Sequence, residues 1–195
     1  MNALLVSTGI VALAEMGDKT QLLAFLLAAR FKKPLPIILG ITIATIFNHA
    51  LAGAVGVWVS QFLSPEVLRW VLGLSFIAMA IWMLIPDKLD EDDVSLASSR
   101  WGIFGLTCIT FFLAEMGDKT QIATVAMAAR FDDAILVVIG TTLGMLLANV
   151  PAVFLGEKFA KRFSPKLIHA ISACIFAVMG ILTLLKVDQF FSSLM

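Results

Sequence analysis

Glu15-Met16-Gly17-Asp18-Lys19-Thr20-Gln21 and Glu115-Met116-Gly117-Asp118-Lys119-Thr120-Gln121 are the same heptapeptide, one hundred positions apart, each inside an apolar stretch of membrane-spanning length. Ionisable side chains are costly in a bilayer and are rare there unless they serve a function. Two identical copies imply equivalent half-sites that converge on one ligand, as in transporters built from internal repeats.

Around the motifs the chain is 60% hydrophobic and 14% charged, with a mean hydropathy of +0.98. A soluble domain has far more polar surface to cover, so an all-α integral membrane protein in a lipid bilayer is expected. The formal net charge is zero and no basic cluster points to nucleic acid as a partner. Cys108 and Cys174 fall in apolar segments without metal-binding or redox spacing, and read as small core residues. The start, Met1-Asn2-Ala3-Leu4, lacks the basic region of a signal peptide, so the first segment is expected to stay as a span.

Six membrane-length segments can be drawn: Asn2–Ala29, Leu35–Phe62, Val67–Ile85, Trp101–Ala129, Ala134–Phe159 and Leu167–Leu185. The repeat extends beyond the motif. At an offset of one hundred, Leu13–Gln21 equals Leu113–Gln121, Ala28–Phe31 equals Ala128–Phe131, Gly40 matches Gly140 and Ser64-Pro65 matches Ser164-Pro165. Each unit holds three spans, and an odd number makes the second unit enter from the opposite side. The expected organisation is one transmembrane domain, 1–195, made of repeat one (1–86), an acidic cytoplasmic linker (87–100) and repeat two (101–195). That linker lacks the Gly and terminal Glu of a calcium loop, and reads as a solvated connector.

Charge in the loops sets an orientation. With the N-terminus outside, the inner side carries Arg30, Lys32, Lys33, Lys88, Arg100, Lys158, Lys161, Arg162 and Lys166; the outer side carries only Arg69, Arg130 and Lys186. The positive-inside rule therefore favours both termini outside, with Trp58 and Trp70 at the outer interface and Trp82 and Trp101 at the inner one.

In a continuous helix Glu15, Asp18 and Gln21 would drift slowly around one face, and Glu115, Asp118 and Gln121 would repeat the arrangement. Two such faces meeting would surround a small volume with four carboxylates and two amides, a donor set suited to hard divalent cations. These six residues are the candidate metal ligands. Four carboxylates and two lysines leave a charge of −2, which one divalent cation or two protons would neutralise; that equivalence is the basis for exchange. Lys19 and Lys119 lie four residues after Glu15 and Glu115, the order that favours an ion pair on a helix, and could also stand in for the cation when the site is empty. Thr20 and Thr120 offer hydroxyl oxygens or bonds back to the helix. Gly17 and Gly117 would admit a cation or a partner helix close to the backbone, or loosen the helix there, and both motif segments are long enough to span with a tilt or a break.

The second and fifth spans add Asn48, His49 and Asn149 at similar depth. Asn48 and Asn149 are supporting candidates, either near the cation or as hydrogen-bonding glue between helices. His49 is expected to be a hydrogen-bonded core histidine, His169 an interfacial one, and Met16 and Met116 packing residues. Pro151 would free a carbonyl near Leu147. Ala52, Gly53 and Gly56 suggest close helix packing, whereas spans three and six, with at most Ser75, Ser172 or Thr183 as polar residues near their centres, read as a lipid-facing scaffold.

The paired Glu-x-Gly-Asp-Lys-Thr motifs resemble the TMEM165/Gdt1 family, and most closely its short bacterial members, over essentially the whole chain. The resemblance implies a secondary transporter that moves Mn²⁺, or in some members Ca²⁺, against protons. It carries the cation-binding role onto Glu15, Asp18, Glu115 and Asp118, with the metal as transported substrate and no permanent cofactor. The absence of a long N-terminal targeting region fits a bacterial inner membrane. Two other classes fit less well. An exporter of small organic cations would need an apolar lining around the carboxylates. An intramembrane enzyme of phosphate chemistry would need Arg, His or a nucleophile beside them. The oligomeric state, a homo-oligomer included, is not encoded in these patterns.

Overall fold

A computed structural model describes residues 3–85, 102–155 and 165–185. The acidic linker, Trp101, Lys88, Arg100, Lys158, Lys161, Arg162 and Lys186 lie outside the described residues, as do the side chains of Lys166 and His169. The described residues form these helices: α1 (Ala3–Glu15), α2 (Lys19–Phe31), α3 (Pro34–Phe62), α4 (Pro65–Trp82), α5 (Gly102–Glu115), α6 (Lys119–Arg130), α7 (Ala134–Leu155) and α8 (Pro165–Leu184).

The first and fourth expected spans are not continuous helices. Each is split at its motif, into α1 and α2 and into α5 and α6. The 13 residues of α1 rise about 20 Å, short of the roughly 30 Å of a hydrocarbon core. By length and apolar composition Pro34–Phe62, Pro65–Trp82 and Ala134–Phe154 could each cross a membrane alone, whereas Ala3–Glu15, Gly102–Glu115 and Ala170–Leu184 are apolar but shorter. Local chemistry sets the other boundaries. Pro34 and Pro65 open α3 and α4, and the Ser64 side chain accepts from the Val67 N–H. Lys32 closes α2 in the left-handed region at φ 53°.

Packing recurs with the two halves exchanged. Helix α1 lies on α7 as α5 lies on α3; α2 touches α5 and α7 as α6 touches α1 and α3; α3 meets α7 and α4 meets α8. Small residues make the long contacts possible. A methyl group on Gly40 would sit 2.6 Å from Thr107, and one on Gly140 would sit 2.9 Å from Ser7, the residue matching Thr107. Gly53 likewise leaves room for Val138, and Gly56 for the backbone at Val125, so the expected close packing along α3 is present. The α4–α8 pair is joined by matched rings, Phe76 and Phe176, stacked at 6.3 Å.

Large apolar side chains face outward, and charged ones lie buried within an otherwise mostly apolar interior. Phe47, Trp58, Ile135 and Phe154 are exposed, while Glu15, Asp18, Glu115, Asp118 and Lys119 are buried. In water this arrangement would leave large apolar surface uncovered and charges desolvated. In a bilayer both features are what the solvent requires.

Candidate cation site

Each motif is a helix stop followed at once by a helix start. Glu15 ends α1, Gly17 turns the chain at φ 85°, and Asp18 (φ −82°, ψ 170°) is the N-cap position of α2. The second copy repeats this, with Gly117 at φ 77° and Asp118 at φ −79°, ψ 167°. Positive φ is inexpensive only for glycine, and aspartate favours the N-cap, so Gly-Asp in this order is a local break signal. The expected single face of Glu, Asp and Gln along one helix is therefore not what brings the carboxylates together.

Two hydrogen bonds close each break. The backbone N–H of Gly17 donates to Gln21 Oε1 at 2.9 Å, and that of Gly117 to Gln121 Oε1 at 2.7 Å. The hydroxyls of Thr20 and Thr120 donate to Glu15 Oε2 at 2.6 Å and to Glu115 Oε2 at 3.1 Å. Thus Thr and Gln orient the glutamates and the turn. Glu15 Oε1 and Glu115 Oε1 have no hydrogen-bond partner among the described residues, though both residues are almost wholly buried. An anionic oxygen in that position calls for a cation or a proton.

The structure brings Glu15, Glu115 and Asp118 together, with one oxygen from each lying within 4.8 Å of the others. Asp18 is not part of this group. Lys19 forms an ion pair with Asp118 at 3.6 Å, so it serves the opposite motif rather than acting along its own helix as expected. The turn at Gly17 removes the i,i+4 geometry on which that expectation rested. Lys119 is 2% exposed and donates to the Ile85 carbonyl at 3.3 Å.

Helices α3 and α7 fasten the motifs. Gln121 Nε2 donates to Asn48 Oδ1 at 3.1 Å, and Asn48 Nδ2 donates to the Phe112 carbonyl at 3.0 Å. At the matching position stands Ala148, and there Gln21 Nε2 donates to the backbone carbonyl instead, at 2.8 Å. That carbonyl is one residue beyond the Leu147 position expected from Pro151, which does lie inside α7. Asn149 turns its amide nitrogen to the Met145 carbonyl at 3.1 Å, while its Oδ1 has no partner among the described residues.

His49 does not behave as expected. It is 1% exposed, and neither ring nitrogen has a hydrogen-bond partner among the described residues. Packing of α3 buries the ring without placing a donor or acceptor against it. Met16 is half-buried and Met116 53% exposed, both at the turn.

Comparisons with known proteins give a consistent picture. A family model described as "Divalent cation/proton antiporter GDT1" matches residues 3–91 and 103–189. The chain is 52% identical to a Vibrio cholerae protein named "Putative manganese exporter" over 184 residues, which cover 94% of this chain and 90% of that one. A GDT1-like protein of Synechocystis is 27% identical, covering 89% and 92% of the two chains, and GDT1-like protein 3 of Oryza sativa is 28% identical, covering 90% and 71%. No solved structure matches the chain.

Proposed function

The chain belongs to the GDT1 family of divalent cation/proton antiporters, and from that premise we propose that it exports Mn²⁺ from a bacterial cytoplasm in exchange for protons. It is thus a transporter rather than an enzyme. The observation that carries the reading is the buried convergence of Glu15, Glu115 and Asp118, from two distant motifs, with Glu15 Oε1 and Glu115 Oε1 lacking hydrogen-bond partners among the described residues. Three carboxylates and the paired Lys19 leave a charge of −2, which matches one divalent cation or two protons. Oxygen donors this close favour a bare ion over an organic cation.

The exchange follows from competition. A divalent cation binds the ionised carboxylates, so binding displaces whatever protons they hold. Affinity for the cation therefore weakens as pH falls. When the site faces an acidic exterior, protons replace the cation on Glu15, Glu115 and Asp118; when the protonated site faces the cytoplasm, it gives up protons and takes the next ion.

The membrane arrangement that suits this cycle is six spans in two inverted three-helix repeats in the inner membrane, with both termini outside. The break at each motif leaves α1 with α2, and α5 with α6, as the two halves of a discontinuous span, the form in which transporters present helix ends to ions. Cysteines replacing Lys33 and Ser64, at opposite ends of α3, test the orientation: only the second should react with an impermeant thiol reagent in intact cells.

The preference for Mn²⁺ rests on the name of the Vibrio cholerae relative; the oxygen donors alone serve Ca²⁺ as well. Purified protein in proteoliposomes, given Mn²⁺, Ca²⁺, Mg²⁺ or Zn²⁺ under an imposed pH gradient, separates these. Mn²⁺ flux dependent on the gradient is expected, with Ca²⁺ the closest competitor. Flux indifferent to pH, or affinity unchanged between about pH 5 and 8, would overturn the exchange.

A further inference from the structure

Resting on the cation reading above, we propose that α3 and α7 part to admit water between them, and that this wetted seam is the aqueous approach by which a hydrated cation reaches the buried carboxylates. The packing described is its closed form.

Unsatisfied polar groups mark the seam. Outside the motifs, and Arg69 Nε aside, the buried polar side-chain atoms with no hydrogen-bond partner among the described residues are Thr45 Oγ1, both ring nitrogens of His49, Thr142 Oγ1 and Asn149 Oδ1. Thr45 and His49 belong to α3, Thr142 and Asn149 to α7, and all four residues are buried. A helical threonine can return its hydroxyl to its own backbone, as Thr42 does to the Ile38 carbonyl and Thr141 to that of Val138. Thr45 and Thr142 make no such bond.

Spacing puts these groups on the faces where the two helices meet. A methyl group on Gly53 would sit 2.7 Å from Val138 Cγ2. Beyond that contact Val57 and Gln61 of α3 line a groove with Ala134 and Ile135 of α7, so the helices run antiparallel. In the other direction His49 is four residues from Gly53 and Thr142 four from Val138, so the two stand level, one turn on. Thr45 follows a further turn along α3, and Asn149 seven residues along α7. Neighbouring positions hold the motifs: Asn48 Oδ1 accepts from Gln121, and the Ala148 carbonyl from Gln21. The seam therefore runs alongside the cation site.

Polar atoms buried dry oppose the closed packing, and water between the helices would satisfy them all. Hydroxyl, imidazole and amide groups hold water but supply no anionic oxygen to strip a cation of its shell. Such a lining suits passage, whereas the carboxylates suit binding.

A cross-link tests this. Gly53→Cys with Val138→Cys, in a Cys108→Ala and Cys174→Ala background, places two thiols within disulfide reach when the seam is closed. The oxidised protein should lose Mn²⁺ flux in proteoliposomes by more than about 10-fold and regain it on reduction. Hydroxyl-radical labelling, which marks side chains beside bound water, needs no transport. His49 and Met145, both buried, should be labelled in the reduced protein and protected in the cross-linked one. Thr45→Val with Thr142→Val keeps the shape and removes two hydroxyls. Flux should fall roughly 10-fold while Mn²⁺ binding, read by calorimetry, stays unchanged. A seam that stays dry gives the opposite: the same pair raises the melting temperature by a few degrees and leaves flux as it was, since two unsatisfied groups are gone. That result, or full flux through the cross-linked protein, overturns the proposal alone. If Glu15→Gln and Glu115→Gln bind Mn²⁺ as the wild type does, the cation reading fails instead, and the labelling still reports whether the seam takes up water.

Discussion

The two motifs close their own turns in the same way but meet different neighbours. In both, glycine turns the chain, glutamine holds the glycine N–H and threonine holds the glutamate. Beyond the turn they part. The side chain of Asn48 fastens Gln121, yet a backbone carbonyl at Ala148 fastens Gln21. His49 stands where the other half has Asn149. Lys19 keeps 22% of its side chain exposed, whereas Lys119 is buried. Seven residues are thus enough to specify a local break, whereas the helices around it decide which charge meets which.

The largest effect should come from the residues that the halves share most fully. Glu15→Gln and Glu115→Gln each remove a buried charge while keeping the shape, and each should lower transport by about 100-fold or more, since an unbalanced buried charge costs about 3–5 kcal/mol. Flux in proteoliposomes, with gel filtration to confirm folding, provides the measurement. A large loss in one half and none in the other would break the equivalence.

The next effect should be one-sided. Asn48→Leu leaves Gln121 Nε2 without its acceptor, and an unsatisfied buried donor costs about 1–3 kcal/mol, or roughly 10-fold in transport. Ala148→Gly leaves the backbone carbonyl in place and should change the same assay by less than about twofold. Equal losses would mean that the two fastenings are not the distinction the contacts suggest.

A smaller, two-sided effect is expected at the turns. Gly17→Ala and Gly117→Ala would force a Cβ into positive φ, at a cost of about 1–2 kcal/mol each. Nothing lies within 4 Å of a methyl group at Gly117, so the cost there is in the backbone alone. Melting temperatures should fall by a few degrees in either variant, about 2–4 °C per kcal/mol for a chain of this size.

The smallest should be His49→Asn, which gives α3 the residue that α7 already has. With no hydrogen bond to lose among the described residues, it should alter Mn²⁺ flux by less than about twofold. A selective change in the pH profile would instead give His49 a part in proton movement.

How much of this was legible beforehand depends on the range of the interaction. The Gly-Asp pair signals a helix stop and start within two residues, so the break could have been found from local rules. Apolar length allowed a tilted or a broken span alike, because hydropathy windows average over the turn. The pairing of Lys19 with Asp118 had no such signal. It spans about a hundred residues, and the i,i+4 spacing to Glu15 suggested a nearer partner. His49 misled for a similar reason: a buried imidazole is expected to be satisfied, and only the packing of α3 shows that it is not.

The sequence alone determined that the chain is apolar and helical, that it is duplicated, and that its ionisable residues sit in paired motifs. Those properties follow from composition and spacing, which need no knowledge of neighbours. Tertiary structure decided which three carboxylates converge, which lysine faces them, and how the helices are fastened. Identical motifs cannot encode a difference between themselves; only the packing of unlike neighbours around them can.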